Sequence, residues 1–123
     1  TDPELRQGQQ LAMSELQVNS QSIALDKEGY LLDLNAWSPA AAEALAARED
    51  LHLSAEHWEV LQLLRNFYSE YQLSPATRPL IKYVALHLGA DKGNSLHLNR
   101  LFKGTPAKLA AKLAGLPKPT NCL

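Results

Sequence analysis

Polar residues without periodicity fill positions 1–12, and the first apolar run is Ser22-Ile23-Ala24-Leu25. The turn Asp26-Lys27-Glu28-Gly29 separates it from Tyr30-Leu31-Leu32-Asp33-Leu34. Two short apolar runs around a polar turn ending in glycine predict a β-hairpin over 22–34. Everything beyond predicts helix. Ser38-Pro39 sets a capping hydroxyl before a proline at the first helical position, opening an Ala-rich helix to about 49. Ser54 opens a second helix, with Glu56 and Glu59 where the helix dipole favours negative charge. There Trp58, Leu61, Leu64, Tyr68 and Tyr71 recur at spacings of three and four, one apolar face running to about 72. Core packing is the preferred reading of that stripe over the lining of a cofactor pocket.

Ser74-Pro75 breaks the pattern. Pro79 falls in the first turn of a third helix, with Leu80, Ile81, Val84 and Leu88 on its buried side and Gly89 as a left-handed C-cap. Asp91-Lys92-Gly93-Asn94 predicts a turn, followed by a helix from about 95 to 102. Thr105-Pro106 caps a last short helix that Gly115 ends. Leu116-Pro117-Lys118-Pro119 cannot continue it, because proline lacks the amide donor and restricts its predecessor. The fold class is α+β and mostly α: an N-terminal hairpin packed on about five helices. One domain is expected over 13–115 and a flexible arm over 116–123. Residues 1–12 read as a cloning remnant ahead of a natural start at Met13, or as a disordered native extension.

Composition narrows the class. A chain of 123 residues, 46% hydrophobic and 20% charged, suits one globular domain rather than disorder. No apolar run approaches the roughly 20 residues of a membrane span, and no apolar leader opens the chain. A single cysteine excludes an internal disulfide and a cysteine-rich zinc site, so a cytoplasmic protein with a free thiol is expected. The net charge of −1 hides an asymmetry. Asp91 is the last acidic side chain, and Lys92, Arg100, Lys103, Lys108, Lys112 and Lys118 follow it, half of the 12 lysines and arginines. Such a surface suits an acidic protein face, a nucleic acid or an anionic sulfur species, or else balances the acidic N-terminal half. His52, His57, His87 and His97 have no metal-ligand spacing, and His57 at a helix start reads as a capping or packing residue. No carboxylate pair or phosphate loop is present, and no cofactor is expected.

That leaves Cys122, penultimate and beyond two prolines. Structural cysteines are usually buried, whereas chain ends are usually exposed. Eight residues follow Gly115, so at about 3.3 Å each the thiol reaches about 25 Å from the last helix. Pro117 and Pro119 stiffen that tether toward polyproline II. A swinging thiol suits transfer between proteins better than catalysis in place. The neighbouring carboxylate of Leu123 disfavours the thiolate and Lys118 favours it, both screened by solvent. An ordinary thiol, activated only within a partner's pocket, is therefore expected; an incidental surface cysteine is the alternative.

The string Ala114-Gly115-Leu116-Pro117-Lys118-Pro119 with a penultimate Cys122 resembles the C-terminal signature of the TusE/DsrC family. Asp26-Lys27-Glu28-Gly29-Tyr30-Leu31, Trp37-Ser38, Leu53-Ser54-Ala55-Glu56-His57-Trp58-Glu59-Val60, Ser74-Pro75-Ala76-Thr77-Arg78 and Lys92-Gly93-Asn94-Ser95 are similar in order and spacing. The resemblance implies a hairpin on a helical array with a helix-turn-helix-like element, and Cys122 as sulfur carrier. Two-cysteine members of the DsrC kind have a second thiol eleven positions earlier, where this chain has Ala111. That departure implies the TusE-like branch: a persulfide relay from a TusBCD-like donor complex to an MnmA-like tRNA 2-thiouridylase, with tRNA met indirectly and no membrane. Lys103-Gly104-Thr105-Pro106 departs from the family's usual Pro-Lys-Gly-Pro. Partner or anion contacts are expected at Arg78, Arg100, Lys108, Lys112 and Lys118, which otherwise are ordinary surface charges. The competing readings are a DsrC-like sulfite reductase partner and a nucleic-acid-binding module.

Overall fold

A computed structural model describes residues 13–120, so the expectations placed on residues 1–12 and on Cys122 fall outside the described residues. Strands β1 (Ser14–Val18) and β2 (Gln21–Leu25) pair antiparallel, Ser14 opposite Leu25 and Val18 opposite Gln21. Leu16, Val18, Ile23 and Leu25 alternate inward onto the core. This corrects the expected hairpin, which lies one strand earlier than 22–34. Its turn is Asn19-Ser20, both at positive φ (50° and 69°), as a two-residue type I′ turn requires. Serine at the second position hides that signal, since glycine is the residue that advertises it. The run 30–34 returns only as far as a single bridge between Leu31 and Leu25. The Asp26 carboxylate accepts the amides of Glu28 and Tyr30, and Asp33 then accepts the Asn35 amide and starts a short 3-10 helix, Leu34–Ala36.

Five helices follow: α1 (Pro39–Arg48), α2 (Ala55–Tyr71), α3 (Thr77–Leu88), α4 (Ser95–Leu101) and α5 (Pro106–Leu113). The chain is mostly α with a small β part. Ser38, Ser54 and Asn94 cap α1, α2 and α4 by accepting amides of their first turns. Thr105 does not cap α5 in this way; its hydroxyl donates back to the Phe102 carbonyl. Helix α5 is the hub: α1, α2, α3 and α4 all pack on it, and its Ala107, Ala110 and Ala111 are buried where the neighbours come close.

The predicted stripe on α2 also needs correction. Its buried face is His57, Val60, Leu61 and Leu64; Trp58 and Tyr68 flank it half-buried, and Tyr71 is exposed. The ring of His57 explains the rotation. Its Nδ1 accepts the Ser54 amide at 3.0 Å, which completes a capping box and leaves Nε2–H to donate to the Leu101 carbonyl at 2.8 Å. A polar ring satisfied on both nitrogens is buried without penalty. Gly89 ends α3 at φ 96°, ψ 165°, an extended glycine conformation instead of the left-handed cap expected. Leu80 and Val84 are buried as expected, while Ile81 and Leu88 are half-buried.

Candidate functional site

The described part of the site is the root of the C-terminal tether. After α5 the chain reverses: the amides of Gly115 and Leu116 return to the carbonyls of Lys112 (3.1 Å) and Ala111 (2.9 Å). Gly115 adopts φ 73°, and a Cβ there would lie 2.2 Å from Cδ1 of Trp37, so the position requires glycine twice over. Two side chains then fix the root. The Trp37 indole N–H donates to the Leu113 carbonyl at 2.9 Å, and an Arg65 Nη1–H donates to the Ala114 carbonyl at 2.6 Å. The guanidinium lies 3.9 Å over the Trp37 ring, and its partial burial lowers its pKa from the ordinary value. Each orphan carbonyl at the end of α5 thus has a donor.

Beyond the root the chain stays on the body. Leu116 is buried, the Ser74 hydroxyl donates to the Pro117 carbonyl at 2.6 Å, and Pro119 is buried. Lys118 Nζ sits 2.9 Å from Glu28 Oε2, in the turn after β2. Lys118 is thus engaged with a carboxylate in an exposed ion pair.

The other expected contacts separate into two groups. Lys108, Lys112 and Lys118 line one cavity of about 340 Å³ with Glu28, Tyr30, Thr105 and Leu109. Lys112 is paired with Glu49 at 3.1 Å, and the Lys108 carbonyl accepts the Tyr30 hydroxyl at 3.0 Å. Arg78, in the first turn of α3, and Arg100, in the last turn of α4, are exposed and do not line that cavity. The cations after Asp91 differ in their partners. Lys92, Lys112 and Lys118 pair with Glu59, Glu49 and Glu28, and Lys103 donates to the Glu49 and Asp50 carbonyls at the end of α1. Lys92, Lys112 and Lys118 are thus balanced by carboxylates of the N-terminal half, whereas Lys103 meets only main-chain oxygens. Ala111, where a second thiol would stand, is fully buried in α5.

Sequence reasoning missed Trp37, Arg65, Ser74 and Glu28 as tether contacts. Each meets a partner about 40 to 90 residues away along the chain, which no local pattern reports.

Residues 17–123 match the model of a family described as DsrC like protein. The chain is 52% identical over 108 residues to the sulfurtransferase TusE homolog of Haemophilus influenzae, covering 88% of this chain and 99% of that protein. Its fold is similar to the NMR structure of Allochromatium vinosum DsrC, with a TM-score of 0.83, 46% identity, and coverage of 92% of this chain and 100% of that one. It is also similar to the oxidized gamma-subunit of the dissimilatory sulfite reductase (DsrC) from Archaeoglobus fulgidus, with a TM-score of 0.79, 36% identity, and coverage of 89% and 100%.

Proposed function

This chain belongs to the DsrC-like family, and from that premise we propose that it is a sulfur relay protein in tRNA thiolation, carrying sulfur on Cys122. The observation that carries the reading is the pairing of the chain's one thiol, Cys122, with a root fixed by two side chains at Leu113 and Ala114, a short proline-containing tether away. A fixed root with a reactive tip suits delivery into another protein's active site.

The chemistry is an exchange without net oxidation. The Cys122 thiolate attacks the outer, sulfane sulfur of a donor persulfide; the donor's S–S bond breaks and its inner sulfur leaves as a thiolate. Cys122 then holds a persulfide, whose terminal sulfur passes to an acceptor thiolate by the same step in reverse. The donor is a TusBCD-like complex and the acceptor an MnmA-like tRNA 2-thiouridylase. The whole of residues 116–123 is the working tether, with Leu116 to Pro119 released when a deep pocket must be reached. A sulfite-reductase role of the two-cysteine kind is disfavoured by Ala111, which leaves no partner thiol for an intramolecular disulfide. A nucleic-acid-binding role is disfavoured by the engagement of Lys92, Lys112 and Lys118 with carboxylates.

Intact-mass spectrometry after incubation with a persulfide donor tests the proposal. The wild-type chain is expected to gain the mass of one sulfur atom and Cys122→Ser none. A wild-type chain that stays unloaded by a competent donor sinks the carrier reading. Alkylation of Cys122 as a function of pH, measured on the isolated chain, is expected to follow an ordinary thiol's profile. A midpoint well below 7 would contradict activation by the partner.

A further inference from the structure

Several cations of this molecule that pack against its surface meet a carboxylate: Lys112 meets Glu49, Lys92 meets Glu59 and Lys118 meets Glu28. Arg65 does not. It sits half-buried on α2, and among the described residues no carboxylate lies within ion-pair distance of it. One Nη1–H reaches the Ala114 carbonyl and the guanidinium plane covers Trp37. A guanidinium has five N–H donors, so others remain for a ligand. A cation drawn from water without a counter-charge is a standing cost that an incoming anion relieves.

The surroundings of Arg65 have the shape of a socket. A cavity of about 280 Å³ is lined by Trp37, Pro39, Trp58, Leu61, Gln62 and Arg65. Leu61 is the buried floor, Trp37 and Trp58 are half-buried walls, and Pro39 and Gln62 are the exposed rim. These are both of the chain's tryptophans. Tryptophan and arginine around a small apolar hollow are the residue types that carry most binding energy in protein interfaces. The socket also adjoins the tether root, because Trp37 and Arg65 are the residues that hold Leu113 and Ala114.

We propose that this socket receives an acidic side chain, flanked by an apolar residue, from the protein that donates sulfur to Cys122. The carboxylate takes the free N–H donors of Arg65 while the apolar neighbour fills the hollow between the tryptophans. The inference rests on the sulfur-carrier reading and extends it by assigning the docking surface. Docking at the root leaves the tether beyond it free to search the partner's active site, within about 25 Å when fully released.

Gln62 allows a test that spares the root. Its amide donates to Asn66 at 3.1 Å, one turn along the exposed side of α2 and away from the tether root. Binding of a TusBCD-like donor complex is measured on a Cys122→Ser background, which removes covalent exchange. Gln62→Glu is expected to weaken the complex about 3- to 10-fold and Gln62→Lys to tighten it similarly, both effects shrinking as salt rises. In the ¹⁵N-labelled chain the Trp37 and Trp58 indole N–H signals should shift on adding that complex. Equal affinities for the two charge variants, or indole signals that stay in place, overturn the proposal. So does a charge effect confined to tRNA, which assigns the socket to nucleic acid. Loading of wild-type Cys122 at saturating donor complex is read separately from affinity: its absence sinks the carrier reading, while normal loading with charge-insensitive docking sinks only the socket.

Discussion

Gly115 concentrates two constraints in one residue. Its φ of 73° is left-handed, and its α-carbon is pressed against the Trp37 ring. Gly115→Ala adds the conformational cost of a left-handed residue, about 1–2 kcal/mol, to an overpacking cost of about 1–3 kcal/mol. A loss of about 2–5 kcal/mol in denaturant-induced unfolding is expected, and a loss below about 1 kcal/mol would mean the turn relaxes elsewhere. His57 is the other residue whose role is out of proportion to its type. Replacing it by alanine removes half of the α2 capping box and the donor to Leu101, a loss of about 2–3 kcal/mol by the same measurement. The sequence marked His57 as a capping or packing residue, and it is both. No local signal showed that its second nitrogen reaches α4.

At the scale of elements, the helices were readable because their ends carry local chemistry. Ser38-Pro39, Ser54 and Asn94 advertise starts that need no tertiary contact to form. The hairpin was not, because Asn19-Ser20 adopts a glycine-like turn without glycine. Ser20→Gly should therefore stabilise the protein, by about 0.5–1 kcal/mol, since relief of the left-handed strain exceeds the added unfolded-state entropy. A lowered midpoint of thermal unfolding in that variant would refute this account of the turn. The joint between α2 and the turn before α4 carries a pH signature. The hydrogen bond from Lys92 to Glu59 holds the ammonium's pKa above its ordinary 10.5. A folded-state pKa raised in this way contributes stability that is complete below the unfolded value and is lost as pH rises through the folded one. Unfolding measured from pH 9 to 12 should therefore show an alkaline loss that is smaller in Lys92→Met. Tyr83, whose pKa is raised above 10.0 first by burial and then by Glu70, adds to the same loss and remains in the variant.

The whole molecule arranges its helices so that the end of the central one is fixed, and past the buried Leu116 the polar contacts on the chain are weak. The Glu28–Lys118 pair is exposed and worth about 1 kcal/mol or less, and the Ser74–Pro117 hydrogen bond about 1 kcal/mol. Contacts of that size are easily exchanged for a partner's. In a Glu28→Gln, Ser74→Ala double variant, global stability should change little while a nitroxide attached at Cys122 gains mobility in its EPR spectrum. Unchanged spectra would show that these contacts do not restrain the tether. Read alone, the chain determined its helix starts, its mostly α class, its single thiol and the proline-marked end of its last helix. These follow from backbone chemistry within a few residues. Only the tertiary structure decided which face of α2 is buried, which lysines meet carboxylates, and that Trp37 and Arg65 hold the tether root while Arg65 has no carboxylate partner among the described residues. Those outcomes depend on groups 40 or more residues apart meeting around α5, and no local periodicity encodes such meetings.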